Sequence, residues 1–511
     1  MSNFEQRLRA LSPEVLKGIR RCIEKESLRV RSDGKLSTLP HPAALGSALT
    51  HPRITTDFCE SQLELITGVH AGVEECLEEL TQIHQVVFRN IGDEMLWCSS
   101  MPCGLPDDDA IPLGRYGTSN LGRAKTVYRM GLSHRYGRRM QTISGIHYNF
   151  SLPGVSNEGY FSLIRNFRRK SWLLLCLFGA SPSVCTTFVA GREHDLEELK
   201  GGTLYRPWAT SLRMGRLGYQ SDAQSSLAVS YNSLESYGTS LQEGLTRSYA
   251  PYEAIGIRNS DDASGAVYGY RQLATSLLQI ENEFYGTIRP KRTIRRGERP
   301  LHALRERGVE YIEVRLMDLD PFRPIGIGPE TIRFLDVFLL HCLLRDSPPD
   351  TPQEIAAWAR NQNRAAARGR EPGLLLERNG QEVGLIEWGG QVLAECEPVA
   401  AALDSAHGGC GYGDALSAAA EALRDPASLP SARVLAEIAQ HYDNTYVYFV
   451  RAKSVQHRNT LNSLPYSAEV EARFARMAEE SLAEQHKMEA ADTVPFETYR
   501  QQYLSVERLG A

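Results

Sequence analysis

Glu313 and Arg315 stand two residues apart in Tyr311-Ile312-Glu313-Val314-Arg315-Leu316-Met317-Asp318, where apolar and charged residues alternate. The alternation predicts a strand with Glu313 and Arg315 on one face and Ile312, Val314 and Leu316 on the other. Covering a carboxylate and a guanidinium with protein is unfavourable. Two readings follow. The pair is a surface salt bridge worth about 0–1 kcal/mol, or it is the wall of a wet, charged site for phosphate and metal chemistry.

Other segments repeat the pattern. The stretch 19–30 predicts a strand with Glu24 and Glu26 on one face. Two carboxylates that close repel unless solvent or a cation separates them, so the segment is a solvated edge strand or part of a divalent-cation site built from oxygen ligands. Residues 54–67 add Asp57, Glu60 and Glu64 and end in strand-like alternation. In 143–152, Ile146, Tyr148, Phe150 and Leu152 share one face and His147, Asn149 and Ser151 the other. A histidine placed there is a satisfied structural residue or a member of a site. Residues 278–285 alternate as well and predict a strand with Gln279, Glu281, Glu283 and Tyr285 on one face, followed by the basic turn Arg289-Pro290-Lys291-Arg292.

So many acids aimed at one cavity need cations to stay ionised together. Magnesium suits such oxygen-rich sites and usually brings nucleotide phosphates with it. Arg129, Arg213 and Arg315 offer guanidinium groups for substrate carboxylates and for a transferring phosphoryl group. Tyr128, Tyr219 and Tyr285 offer flat walls and hydroxyls. The combination suggests ATP-dependent activation of a carboxylate, with a nucleophile then displacing phosphate. Gly117–Arg123 is a weak phosphate-loop signal that matches no P-loop pattern.

Strands with one apolar and one ionisable face imply a largely antiparallel sheet, helices on its apolar side and a site on its polar side. A doubly wound parallel sheet would need strands apolar on both faces. Helices are expected within 1–20 (with Ser12 as N-cap), 73–90, 160–180 and about 228–245. The cluster Arg165, Arg168, Arg169 and Lys170 reads as a solvated face. Beyond 346 the texture is helical, at 353–370, 392–403, 415–423, 431–442 and 468–491. The expected division is a catalytic core, 1–345, and a mostly helical region, 346–511, packed on it.

The bulk numbers set limits. Of 511 residues, 23% are charged and 42% hydrophobic, which is ordinary for a globular chain. The net charge of -5 provides no basic field for nucleic acid or an acidic membrane. No apolar run is long enough to span a bilayer and the N-terminus has no signal-peptide pattern, so a cytoplasmic location is expected. Ten cysteines without a CxxC pair read as free thiols in a reducing compartment.

Long stretches carry a resemblance: 18–30 (GIRRCIEKESLRV), 41–67, 116–136, 140–153 (MQTISGIHYNFSLP), 209–219, 278–292 (LQIENEFYGTIRPKR), 308–322 and 488–496 (MEAADTVPF). In these the chain resembles the proteobacterial glutamate–cysteine ligases. The resemblance implies an α+β fold similar to the catalytic core of glutamine synthetase: a curved, mainly antiparallel sheet forming a funnel, with surrounding helices. It implies a magnesium site at Glu24, Glu26, Asp57, Glu64, His147 and Glu313, with manganese as a substitute. It places glutamate at Arg213 and the Ile146 backbone, and cysteine at Phe58, Tyr128, Leu132, Gln141, Tyr219 and Tyr285. Arg315 and Glu313 become the catalytic pair at the transferring phosphate, with Arg129, Lys291 and Arg292 toward phosphate or nucleotide. The implied reaction joins L-glutamate and L-cysteine with ATP through a γ-glutamyl phosphate, giving γ-glutamylcysteine, ADP and phosphate, the first step of glutathione synthesis. Glutathione is the implied feedback inhibitor and a monomer the implied state. Loops 191–202 and 371–390 depart from the family pattern. The alternatives are another ATP-dependent carboxylate–amine ligase and a non-catalytic regulatory relative, and the latter need not retain clustered, destabilising charges.

Overall fold

The computed structural model describes residues 3–218, 222–225, 227–259 and 269–510. Its main sheet has seven strands: β1 (Arg20–Val30), β2 (Ile54–Thr56), β3 (Gln62–Ile66), β4 (Met95–Leu96), β5 (Ile146–Ser151), β6 (Ile288–Lys291) and β7 (Tyr311–Met317). The order is β2-β3-β1-β5-β7-β6, with β4 on the end of β1. Every pairing is antiparallel, and the sheet is open, not closed into a barrel. The expected α+β architecture is the observed one.

Register brings the ionisable residues together. Glu24 lies opposite His147, Glu26 opposite Glu64, and Glu313 opposite Asn149. One bulge interrupts the ladder: β7 uses three steps from Val314 to Met317 where β5 uses two, from Tyr148 to Ile146. The extra residue shifts the alternation, so Leu316 and Met317 both enter the core while Arg315 stays beside Glu313. The apolar face, with Ile23, Ile146, Tyr148, Phe150, Ile312 and Val314, is fully buried. It shares its core with helices Val73–Asn90, Asn157–Lys170 and Pro329–Leu344.

Several expectations are corrected. Residues 278–285 are not a strand; they form a loop around a 3-10 turn, Glu281–Glu283. Long-range cations fold the acids back. Arg299 takes Glu281 at 2.7 Å, and Arg135 takes Glu283 at 2.8 Å. The helix expected over 160–180 is two helices, Asn157–Lys170 and Trp172–Phe178, separated at Ser171. Its basic cluster is not a solvated face: Arg165 donates to the Tyr231 and Ser347 carbonyls at 2.9 Å, and Arg169 pairs with Glu354 at 2.7 Å. The first twenty residues hold two short helices, the second capped by Ser12, whose Oγ accepts from Val15 N. Not all thiols are free. Cys103 and Cys185 form a disulfide across 82 residues, and eight cysteines remain unpaired.

Beyond residue 345 the expected helices are present: Ala468–Ala491 has the expected bounds, and the helix expected over 392–403 is longer, Leu385–His407. A two-stranded hairpin, Leu375–Arg378 with Gln381–Gly384, was not anticipated. Its turn is Asn379-Gly380, both with positive φ (52° and 77°), the residue pair that a type I′ hairpin requires. Leu385, Val392 and Leu403 join the same core as Ile332, Leu335 and Phe338. Helix Ala468–Ala491 straps the loops beside the site: Ser47 N donates to Ser481 Oγ and Thr118 N to Glu489 Oε1. No helix among the described residues is long and apolar enough to cross a membrane.

Candidate active site

The polar face of the sheet opens into a cavity of about 700 Å³. Strands supply Glu24, Glu64, His147, Glu313 and Arg315, and the turn between β2 and β3 supplies Asp57. Helix Asn120–Tyr136 lines another wall with Lys125, Tyr128, Arg129 and Leu132; Arg289, Lys291 and Arg292 come from β6 and the residue after it.

His147 sits at the centre. Its Nδ1 is 3.2 Å from Glu24 Oε2 and 3.7 Å from Glu313 Oε1, and its Nε2 is 3.6 Å from Glu26 Oε1. Arg315 lies 3.1 Å from Glu313 and 3.4 Å from His147 Nδ1, and Lys291 Nζ approaches Glu313 at 3.4 Å. Asn149 Nδ2 donates to Glu24 Oε1 at 2.7 Å. Gly145 N donates to Glu26 Oε2, also at 2.7 Å.

The electrostatics divide the acids into two pairs. Burial works against the Glu24 carboxylate, but the His147 hydrogen bond and the nearby cations hold its pKa below the usual range. Glu313 is driven well below it, against burial, by Lys291, Arg315, His147 and Arg289. Glu26 is pushed up to about 8 by burial and by Asp57, which outweigh Arg213 and Arg315. Glu64 is raised well above its ordinary value by burial and by Glu24, Asp57 and Glu26. Burial and Arg315 lower His147, which favours the neutral imidazole. The protein's own cations therefore satisfy half of this set and leave the other half short of positive charge.

The donor set fits a divalent cation. Glu24, Glu64 and His147 each place a ligand atom within 4.8 Å of the others'. Buried His147 Nε2, Asn149 Oδ1 and Glu313 Oε2 have no hydrogen-bond partner among the described residues, and unpaired buried atoms of this kind call for an ion or water. Asp57 also faces the cavity, whereas Glu26 lies beneath its surface. Glu281 and Glu283 are already neutralised by arginines, and Glu60 holds the backbone N–H groups of His41 and Arg115.

The other sequence candidates separate into distinct surroundings. Phe58, Tyr128, Leu132, Gln141 and Tyr285 line the main cavity together, and Gln141 Nε2 donates to the Tyr285 hydroxyl at 2.7 Å. Tyr219 lies outside the described residues. Arg213 faces a second cavity of about 320 Å³ that meets the first at Tyr285 and Arg315. Its charged lining residues among those described are Arg168, Arg213 and Arg315, with no carboxylate. Arg213 is held by the Arg315 carbonyl at 2.8 Å and by Asp318 at 3.6 Å, and a β-carbon on Gly145 would collide with its guanidinium. The Ile146 side chain is in the core, which leaves only its backbone for a ligand. Arg129 donates to the Asp57 carbonyl and lies over the Tyr116 ring; Arg292 donates to the carbonyls of Arg307 and Gly308.

Sequence reasoning missed four contributors. Asn149 shares the polar face with His147, which was a readable signal. Arg289 belonged to the basic turn, and Asp318 directly follows β7; Asp318 accepts from Ala180 N, Ser181 Oγ and Ser211 Oγ and so fixes the wall around Arg213. Lys125 stands one turn before Tyr128.

Comparison with known proteins gives a consistent result. The model of the glutamate–cysteine ligase family matches residues 6–365. The glutamate–cysteine ligase of Alcanivorax borkumensis is 47% identical over 525 residues, spanning 98% of this chain and 99% of that protein. That of Janthinobacterium sp. is 46% identical, spanning 98% of each. The crystal structure of glutamate–cysteine ligase from Francisella tularensis in complex with AMP superposes with a TM-score of 0.91 at 36% identity, covering 97% of this chain and 99% of that one.

Proposed function

The chain belongs to the glutamate–cysteine ligase family, and from that premise we propose how its site joins the γ-carboxylate of L-glutamate to the amine of L-cysteine. ATP phosphorylates the carboxylate to γ-glutamyl phosphate, and the amine displaces phosphate to give γ-glutamylcysteine, the first step of glutathione synthesis. The observation that carries the reading is the junction at Arg315. There a cavity lined by Glu24, Asp57, Glu64 and Glu313 meets a second cavity whose charged lining residues, among those described, are all arginines.

Glutamate, with two carboxylates and one ammonium, suits the cationic cavity beside Arg213, with its γ-carboxylate toward Arg315. Glu313 and His147 hold the Arg315 guanidinium at the junction, where it can meet charge on a phosphoryl group in transit. Glu24, Glu64 and His147 would hold magnesium, with Asp57, Glu26 and Glu313 adjoining. Bound there, the ion supplies charge neutralisation and orientation of the nucleotide phosphates. Lys291 and Arg292 extend the positive wall for those phosphates. Phe58, Tyr128, Leu132, Gln141 and Tyr285 enclose the small acceptor amino acid. Glutathione contains the same γ-glutamylcysteinyl group and so competes for the same two subsites. Because one chain supplies every group named, the reading needs no second subunit.

The test is ADP release by the purified protein with ATP, magnesium and glutamate, supplying cysteine, 2-aminobutyrate or ammonia as acceptor. γ-Glutamylcysteine is the expected product, with cysteine the preferred acceptor. A preference for ammonia would overturn the acceptor assignment.

A further inference from the structure

We propose that Lys125 is the general base that takes a proton from the acceptor's ammonium group before it attacks. This assignment rests on the ligase reading above and adds to it a catalytic residue.

Position comes first. On helix Asn120–Tyr136, Lys125 precedes Tyr128 by three residues and Leu132 by seven, so the three share one face. All three line the main cavity, where Phe58 and Gln141 complete the acceptor pocket and Asp57 and Glu64 begin the carboxylate cluster. Lys125 thus lines the same cavity as the acceptor pocket and the carboxylate cluster. Other cations in this cavity are already engaged: Lys291 with Glu313, Arg129 and Arg289 with backbone carbonyls. The Lys125 ammonium makes no hydrogen bond or ion pair among the described residues and meets only the Tyr116 ring, 5.1 Å away.

Chemistry comes second. Cysteine arrives as an ammonium ion and must lose a proton to become a nucleophile. Phe58, Leu132 and Gln141 contain no base. Burial pushes the Tyr128 and Tyr285 phenols up, so they remain protonated. Lys125 is lowered to about 8, by burial and by Arg129 on its own helix, against the opposing pull of Glu64 on β3 and Asp57 in the β2–β3 turn. A base is most effective when its pKa lies near the working pH.

The step balances. Neutral Nζ accepts one proton from the ammonium. The freed nitrogen lone pair attacks the γ-carbonyl carbon, the C–N bond forms and the C–O bond to phosphate breaks. The departing phosphate carries the second proton from nitrogen, and Nζ returns the first to solvent.

Hydroxylamine isolates this step, because it is already neutral near pH 7 and traps acyl phosphates without a base. With ATP, magnesium and glutamate, Lys125→Met should form γ-glutamylcysteine about 10²–10⁴-fold more slowly than the parent, yet form γ-glutamyl hydroxamate within about twofold of it. Lys125→Arg, which keeps the charge but not the base, should not restore cysteine ligation. A parallel loss with both acceptors, or rescue by arginine, would overturn the assignment in favour of a phosphate-holding charge. Absence of hydroxamate from the parent enzyme would overturn the acyl-phosphate reading itself, and this assignment with it.

Discussion

On β1 the back face carries Arg21, Lys25 and Arg29, the front face carries Glu24 and Glu26, and little of any of them reaches solvent. The two faces treat their charges differently. Behind the sheet both arginines have carboxylate partners, while Lys25 has neutral ones and is lowered to about 7 by burial. Arg21 pairs with Asp336 at 2.6 Å, and Asp336 also accepts from the Tyr148 hydroxyl. Arg29 pairs with Glu94 at 2.7 Å, and Lys25 meets Ser27 Oγ at 2.7 Å and His84 Nε2 at 2.9 Å. In front, burial and neighbouring carboxylates raise Glu26 and Glu64. Buried atoms without a hydrogen-bond partner among the described residues occur on both faces, His147 Nε2, Asn149 Oδ1 and Glu313 Oε2 in front and Arg21 Nε, Arg29 Nε and Glu94 Oε1 behind. Burial of charge is common to both faces. What the front face has and the back face lacks is an opening: Glu24, Glu64, His147 and Glu313 line a cavity of about 700 Å³ that Arg21, Lys25 and Arg29 do not reach.

Substitutions can break or sharpen this contrast. Glu313→Gln removes a front carboxylate and the anchor of Arg315, and it should lower kcat by ~10³-fold or more while the circular dichroism spectrum of the folded protein persists. Unfolding would instead class Glu313 with the back face. Asp336→Asn leaves a buried guanidinium unpaired and should cost about 3–5 kcal/mol of stability in urea titrations, with the kcat of the remaining folded enzyme unchanged. A loss of kcat at full stability would blur the two faces.

Magnesium should act through the front alone. With Glu26 and Glu64 raised, the folded protein retains protons that the unfolded chain releases above its ordinary carboxylate pKa, so metal-free stability falls as pH rises through that window. A bound cation replaces those protons. Its gain in melting temperature should therefore be larger near about pH 8 than near about pH 6. An equal gain at both pH values would place the ion elsewhere. The smallest effect is expected for Tyr285→Phe, which removes the Gln141 hydrogen bond: about 0.5–1.5 kcal/mol, seen as a raised KM for cysteine with little change for glutamate. Equal changes in both would mean that Tyr285 serves the junction of the cavities and not the acceptor pocket.

Strand alternation made the front face readable in advance, because side chains on a half-buried sheet must sort by polarity. It brought out Glu24, Glu26, His147, Glu313 and Arg315 from spacing alone. The same rule failed at 278–285, where the alternation is as good but Arg299 and Arg135, distant in sequence, capture Glu281 and Glu283 into a turn. The bulge after Val314 and the Cys103–Cys185 bond are likewise products of tertiary contacts that local patterning does not encode. Asn379-Gly380 is different: the pair is itself a hairpin signal, set among glycines and prolines that mark an irregular loop. Lys125 lay hidden because a lone lysine on a helix looks solvated until its neighbours are known.

The central claim is that the charged front face serves to form an acyl phosphate. It is tested most directly by glutamate labelled with ¹⁸O in its γ-carboxylate. If the claim holds, turnover with ATP, magnesium and cysteine transfers one labelled oxygen from each glutamate into inorganic phosphate. If the phosphate carries no label while γ-glutamylcysteine accumulates, the carboxylate was never phosphorylated and the account is contradicted.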